Sequence, residues 1–135
     1  MDLKDTLQIS AMGMKAQGVR LRVVAENLAN AGTSAPSANE DPYRRKIVSF
    51  KNELDRATGV EQVKISEIGT DKSDFQSKYD PGNPAADANG YVKMANVNSL
   101  VEVMDMHEAQ NAYQANLGVI EISKSMLLQT IGLLK

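Results

Sequence analysis

The last third of the chain, from Asn98 to Lys135, reads NSLVEVMDMHEAQNAYQANLGVIEISKSMLLQTIGLLK and decides the fold. It contains no proline, and its apolar residues recur at steps of three and four, which predicts one amphipathic helix. At 1.5 Å per residue this helix would be about 55 Å long. Ser99 and Glu102 have the spacing of a capping box, which predicts that they close the first turn.

A shorter segment of the same kind opens the chain. Between Leu3 and Ala31 apolar residues again alternate steps of three and four, as in a coiled-coil seam. Asn30-Ala31-Gly32 predicts the end of this helix, with Gly32 in the left-handed cap conformation. Gly13 and Gly18 lie beside the seam, where small residues allow a neighbouring chain segment to approach closely. We therefore expect a helix at each end of the chain.

Residues 33–97 between the helices are polar and rich in turn-forming residues. Apolar and polar residues alternate in 43–50 and in 60–68, which predicts two strands, with Gly59 as the turn residue between them. The stretches 79–84 and 89–90 predict tight turns. The middle is thus expected to hold loops and a small β element.

The predicted fold class is mainly α. Long N- and C-terminal helices would pack as a coiled-coil-like pair, and a loop-rich central segment would carry the small β element. The predicted organisation is an N-terminal helix region at 1–32, a central segment at 33–97 and a C-terminal helix region at 98–135.

Composition excludes several classes of function. The chain has 135 residues, enough for one ordinary domain, and no cysteine, which excludes disulfides and thiolate catalysis. The net charge of −2 argues against nucleic acid as a partner. No apolar run reaches the roughly 18 residues of a membrane-spanning helix, and the first residues lack the features of a secretory signal.

No residue is predicted to be catalytic, to hold a cofactor or to bind a metal. His107 is the only histidine, and its neighbours Asp105 and Glu108 project in different helical directions. We therefore expect it to be a solvated residue on the helix face rather than a ligand or a base. The protein is not expected to be an enzyme or to need a cofactor.

The long helix carries two adjacent apolar rows, and the first helix can cover only one of them. The other row is left for a neighbouring subunit. The residues expected to pack in this way are Leu7, Met14, Leu21, Val24, Leu28, Met106, Tyr113, Leu117, Ile120, Leu127, Ile131 and Leu134. Arg44, Arg45 and Lys46 form the densest positive run, which indicates either an outer contact to an acidic partner or a solvated strand face.

These features favour a structural assembly protein. The alternative is a cytoplasmic coiled-coil adaptor or export chaperone, which would share the apolar seams but would fold and dimerise alone. Because an uncovered apolar row cannot offset the entropy of ordering, we expect the isolated subunit to have loosely ordered termini.

Short stretches spread along the chain resemble one family. MGMKAQGVR at 12–20 and VAENLAN at 24–30 resemble the N-terminal signature of the flagellar axial proteins of the rod and hook. The ordered series DPYRRK at 41–46, PGNP at 81–84 and DANGYV at 87–92 is most similar to the proximal-rod members. ANVN at 95–98 and the positions Glu102, Met104, Ala109, Tyr113, Gln114–Asn116 and Ser125–Met126 complete the resemblance.

The resemblance implies a structural subunit of the bacterial flagellar basal-body proximal rod. It implies a helical tube that transmits torque and allows axial protein export, with the terminal helices in its inner layer. The implied partners are copies of the chain, other rod proteins, basal-body ring or export-gate junction proteins, and the cell wall. The implied location is the periplasmic rod, reached through the flagellar type III apparatus without a cleaved signal peptide.

Overall fold

The computed structural model describes residues 3–56 and 58–133. Within these ranges, two helices flank four strands in the order of the sequence. In chain order the elements are α1 (Leu3–Asn30), β1 (Lys46–Asp55), β2 (Val60–Thr70), β3 (Gln76–Tyr79), β4 (Tyr91–Met94) and α2 (Ser99–Leu133).

The fold is α+β, so the prediction of a mainly α fold was wrong. Helix accounts for 48% of the structure and strand for about 23%, in two antiparallel two-stranded sheets. The sequence underestimated the strands because most of their side chains face solvent on both sides. Such strands show little of the apolar alternation by which a half-buried strand is recognised.

The hairpin of β1 and β2 lies close to the position predicted from the sequence. β1 begins at Lys46 rather than Tyr43 and continues to Asp55, and β2 begins at Val60. Gly59 forms the turn with a φ of 68°, and its N–H donates to the carbonyl of Asp55 at 2.7 Å. A glycine suits this left-handed position because a Cβ would be strained there.

The second hairpin was missed. β3 and β4 pair from Gln76↔Met94 to Tyr79↔Tyr91, and the last pair makes an edge-to-face ring contact at 5.3 Å. Backbone groups of residues 33–35 bond to the other edge of β4, as in the hydrogen bond from Ala35 N–H to the carbonyl of Lys93 at 2.9 Å. Each of these strands contributes only four paired residues, so its alternation of side chains is too short to be recognised in the sequence.

Both helices end near the predicted positions, but their caps differ from the prediction. α1 ends at Asn30, whose carbonyl accepts from the N–H and the hydroxyl of Thr33 at 3.1 and 2.8 Å. Gly32 is not left-handed, since Gly59 and Gly90 are the described glycines with positive φ. Asn98 rather than Ser99 caps α2, accepting from the Leu100 N–H at 3.0 Å.

The chain divides into two compact units. Unit 1 comprises Met1–Leu21, Val48–Glu67 and His107–Lys135, and unit 2 comprises Arg22–Ile47 and Ile68–Met106. Among the described residues, unit 2 buries Val23, Val24, Ala35, Ala85, Val92, Ala95 and Val97, whereas unit 1 buries only Ala16 and Ala109 among its apolar residues. The apolar core therefore lies mainly in unit 2.

In the described ranges, neither helix combines the length and the hydropathy that a membrane crossing requires.

Candidate assembly surface

The residues predicted to pack between subunits differ widely in exposure. Within unit 1, Leu117, Leu127 and Ile131 are exposed, and the others on the predicted row are partly covered. Leu7, Met14, Leu21, Tyr113 and Ile120 make up this partly covered group. In unit 2, Val24 belongs to the core, and Leu28 and Met106 are partly covered. Leu134 lies outside the described residues.

The most exposed apolar side chains of α2 in unit 1 lie outside the predicted row. Ile122 is 64% exposed and Leu133 is 88% exposed. Together with the exposed predicted residues they form what we call the distal α2 surface. It consists of Leu117, Val119, Ile122, Met126, Leu127, Leu128, Ile131 and Leu133.

The distal α2 surface surrounds its helix rather than following one stripe. Every described residue from Lys124 onward is exposed, and the stretch 125–133 (SMLLQTIGL) contains no charged residue. A helix that is apolar all round is normally buried in a larger structure. The packing residues expected from the sequence include three of these eight side chains and omit the other five, although the run MLLQTIGL already indicated three of the five.

Within unit 1 the two helices run in opposite directions and meet through small and polar residues. Gly13 faces Asn116, whose side chain would lie 3.0 Å from a Cβ built on the glycine. Arg20 pairs with Glu108 at 3.1 Å. Ser10 and Ser123 are buried in the same unit. These contacts leave the larger apolar side chains of the distal α2 surface uncovered.

In unit 2, a buried asparagine joins α1 to the start of β1. Asn27 Nδ2 donates to the carbonyl of Lys46 at 2.8 Å and to Glu102 Oε2 at 3.0 Å. Its Oδ1 accepts from the Lys46 N–H at 2.9 Å and from the Tyr43 hydroxyl at 2.8 Å. All four hydrogen-bonding positions of this carboxamide are therefore used.

Glu102 is fully buried on α2, and its charge is compensated within unit 2. Its Oε1 accepts directly from Arg45 Nε, and Arg45 also approaches Asp105 at 3.3 Å and Asp71 at 3.7 Å. Burial lowers the pKa of Arg45, but the hydrogen bond and the charges of these carboxylates outweigh it, so the net shift is upward. The guanidinium therefore stays charged, as an ion pair with a buried carboxylate requires.

A second buried asparagine bonds to the residue that precedes β1. Asn96 Oδ1 accepts from the Arg45 N–H at 2.7 Å, and its Nδ2 donates to the carbonyls of Asp71 and Ser73 at 3.2 and 3.1 Å. We call the set Asn27, Tyr43, Arg45, Asn96 and Glu102 the polar clamp. The clamp ties both helices to the residues that enter β1.

The positive run therefore has partners inside unit 2. Arg44 donates to the carbonyls of Asp71 and Ser73 and lies 4.2 Å from the centre of the Phe75 ring. Lys46 pairs with Glu26 at 2.9 Å. The predicted outer contact of Arg44, Arg45 and Lys46 stays a prediction, and the Arg45 guanidinium is already engaged in the clamp.

The hairpin of β1 and β2 offers a second apolar surface in unit 1. Phe50, Leu54 and Val63 are exposed there. Between them Glu53 bonds to Lys64 and, at 3.0 Å, to Lys51, and these hydrogen bonds lower the pKa of Glu53 to about 2. Charged side chains of this kind keep exposed strand edges from pairing indiscriminately.

The described part of the chain contains no group of three or more histidine or carboxylate side chains that could hold a metal ion. His107 lies exposed on α2. What the arrangement does provide is uncovered apolar surface on a long helix, which suits docking against other chains.

Comparison with known proteins identifies the family. A family profile described as "Flagellar basal body rod FlgEFG protein C-terminal" matches residues 88–133. The flagellar basal-body rod protein FlgC of Agrobacterium fabrum is 52% identical over 128 residues, covering 95% of this chain and 92% of the relative. FlgC of Salmonella typhimurium is 39% identical over 133 residues, covering 98% of each chain.

A third relative has a similar likeness over nearly its whole length. FlgC of Bacillus subtilis is 36% identical over 141 residues, covering 93% of this chain and 94% of the relative. These matches confirm the resemblance found in the motif stretches. The chain belongs to the family of FlgC flagellar basal-body rod proteins, non-enzymatic structural subunits that assemble with other components of the flagellar basal body.

Proposed function

We propose that this rod subunit polymerises with copies of itself and with other rod proteins into a helical tube that transmits torque. The tube leaves an axial passage for exported proteins. The observation that carries the proposal is the distal α2 surface, which is apolar, uncharged and uncovered in the single chain.

The energetics favour association of this surface with neighbouring chains. Burying a leucine or isoleucine side chain contributes roughly 1.5–3 kcal/mol, so several such residues outweigh the cost of ordering one helix end. Contacts between different patches of successive subunits do not close on themselves and generate a helical assembly. The twelve packing residues expected from the sequence belong to this proposal, with Val119, Ile122, Met126, Leu128 and Leu133 added from the exposure of α2.

The proposed address is the periplasmic part of the rod, reached through the flagellar type III apparatus. Ring or export-gate junction proteins and the cell wall are the proposed outer partners. Family membership supports this proposal, and so does the exposed apolar hairpin of unit 1. The adaptor or chaperone alternative has no comparable support, because the chain matches rod proteins over nearly its whole length.

A charge placed on the distal α2 surface tests the proposal. We expect Leu127→Asp or Ile131→Asp, expressed in cells that lack the native gene, to abolish motility and to leave basal bodies without a completed rod. The reason is that burying an unpaired carboxylate in an apolar contact costs several kcal/mol.

The matched control is Gln110→Asp, which adds the same charge at an exposed polar position of α2. We expect it to retain motility. Normal swimming and normal rods in both Leu127→Asp and Ile131→Asp would contradict the packing proposal.

A further inference from the structure

The β3–β4 hairpin of unit 2 presents one exposed face that carries two aromatic rings. Tyr79 pairs with Tyr91, and Ser77 pairs with Lys93. Residues that pair directly across antiparallel strands point to the same side of a sheet. All four side chains are exposed, whereas Val92, which points to the opposite side, is buried. The hairpin therefore has one buried face and one open face.

The two rings on the open face are held in place by the hairpin itself. They meet edge to face at 5.3 Å, and Tyr79 is 64% exposed and Tyr91 48% exposed. The Tyr79 ring lies against the turn at Gly90, where an added Cβ would come within 2.9 Å of the ring. The φ of 83° at Gly90 also requires a glycine. Aromatic surface that is already rigid binds a ligand at a low cost in conformational entropy.

A small cavity of about 120 Å³ adjoins the Tyr91 ring. Its apolar part is formed by alanines, of which Ala35 and Ala85 are buried and Ala38 is exposed. The polar side chains that line it are Ser37, Ser77, Asp87 and Lys93. Pockets that enclose a whole small molecule measure roughly 300–1,000 Å³, so this cavity suits one side group of a larger ligand.

The lining of the cavity indicates which side group fits. Asp87 is fixed there by its own turn, since its Oδ1 accepts from the N–H groups of Asn89 and Tyr91 at 2.8 and 2.9 Å. A carboxylate can accept from an amide N–H of a ligand, and serine hydroxyls can donate to its carbonyl. The alanines can cover a methyl group. A methyl, a carbonyl and an N–H occur together in an acetamido group.

We propose that Tyr79, Tyr91 and the adjoining cavity, together called the tyrosine site, bind the N-acetylated amino sugars of the cell-wall glycan. The acetamido group enters the cavity, and the C–H face of the sugar ring lies on the Tyr91 ring. A tyrosine suits this contact because its ring is apolar and its hydroxyl can bond to a sugar hydroxyl. This inference rests on the proposed contact between the rod and the cell wall, and it assigns residues to that contact.

Saturation-transfer difference NMR on the full-length subunit tests the proposal, with tri-N-acetylchitotriose as the probe. We expect saturation to reach the acetyl methyl protons most strongly, because the alanines surround them. Maltotriose is the matched control, since it has the same number of sugar rings and no acetamido group. It should receive at least about tenfold less saturation, because the polar groups of the cavity would stay unpaired. No transfer to tri-N-acetylchitotriose, or equal transfer to both sugars, would overturn the proposal.

Two variants locate the binding. Tyr91→Leu removes the ring, and Ala38→Leu places a larger side chain at an exposed edge of the cavity. We expect each to weaken binding of tri-N-acetylchitotriose at least about fivefold. The matched control is Ala88→Leu, the same change at an exposed position that does not line the cavity, and it should bind as the unmodified chain does. Unchanged binding in Ala38→Leu would overturn the site, whether or not Tyr91→Leu folds.

Purified cell-wall sacculi test the source of the sugar. We expect the full-length subunit to sediment with sacculi and to be released by excess tri-N-acetylchitotriose. A subunit that binds the trisaccharide but not sacculi would overturn the cell wall as the partner.

Rods made from Ala38→Leu separate this site from the assembly contacts. We expect them to form normally, because the tyrosine site faces the glycan rather than another subunit. Missing rods in this variant, with normal rods in Ala88→Leu, would show a subunit contact and overturn the proposal. Failure of the assembly function would appear separately, as normal rods in the Leu127→Asp and Ile131→Asp variants.

Discussion

At the scale of single residues, Asn27 shows how a polar side chain can organise a unit. It lies on α1, where the apolar pattern predicts neighbouring Val24 and Leu28 as packing residues and gives no role to an asparagine. The structure buries it and uses its full hydrogen-bonding capacity on β1, Tyr43 and Glu102. A buried carboxamide with four partners fixes the position of each of them.

We predict that Asn27→Ala lowers the free energy of unfolding of unit 2 by about 3 kcal/mol, because it leaves buried partners unsatisfied. Urea denaturation followed by circular dichroism measures this loss. Asn111→Ala is the matched control, since Asn111 is exposed on α2, and it should change stability by less than about 0.5 kcal/mol. Equal effects of the two substitutions would contradict the importance of the buried carboxamide.

Two glycines of α1 allow a matched comparison. We predict that Gly18→Ala stabilises α1 by about 0.5–1 kcal/mol, since nothing lies within 4 Å of a new Cβ there. Gly13→Ala should destabilise the helix pair, because its Cβ would lie 3.0 Å from Asn116, which the Ala112 carbonyl holds at 2.9 Å. The rate of amide hydrogen exchange in residues 7–21 measures the effect of each substitution. If both variants slowed this exchange equally, the close contact between Gly13 and Asn116 would be contradicted.

Glu102 shows where prediction from sequence stops at this scale. Its spacing from Ser99 matched a capping box, yet it turns inward to meet Arg45, and Asn98 caps the helix. A capping box describes only local groups, whereas the partner of Glu102 comes from 57 residues away in sequence. The same distance explains why Arg45 was expected to face a partner protein or solvent.

At the scale of elements, the helices and the β1–β2 hairpin were predictable from the sequence and the β3–β4 hairpin was not. Long apolar periodicity placed α1 and α2, and Gly59 with its flanking alternation located the β1–β2 turn. β3 and β4 lack such a pattern, because only Val92 among their eight residues is buried. The apolar rows of α2 also did not predict that its end is exposed on all sides, since exposure depends on what the rest of the chain covers.

The ion pairs of Glu53 in the β1–β2 hairpin predict that part of the folding stability is lost at low pH. The pKa of Glu53 falls from 4.5 to about 2 through its bonds to Lys64 and Lys51. A carboxyl with a lowered pKa stabilises the folded state above its unfolded pKa, and this contribution is lost as the pH falls from about 4.5 toward 2. We expect an NMR titration of the Glu53 carboxyl at low salt to show this depressed midpoint.

Lys64→Met should raise the Glu53 midpoint toward 4.5, while Lys78→Met, which removes an exposed lysine of β3, should leave it unchanged. Added salt should shrink the shift, because both partners of the pair are well exposed. A midpoint near 4.5 in the unmodified chain would contradict the ion pair.

At the scale of the whole molecule, the chain combines a well-satisfied polar clamp with a long helix end that the described residues leave exposed. The first feature suits a subunit that must keep its shape while being assembled. The second suits a subunit whose final environment is supplied by others of its kind.

The most direct test of this account uses the absence of cysteine from the chain. Single cysteines introduced as Ile122→Cys and Leu128→Cys should react rapidly with a maleimide in the free subunit, where both positions are exposed. In purified basal bodies the same cysteines should be at least about a hundredfold less reactive until the rods are denatured, because neighbouring subunits bury them. Equal reactivity in the free subunit and in intact rods would contradict packing through the distal α2 surface.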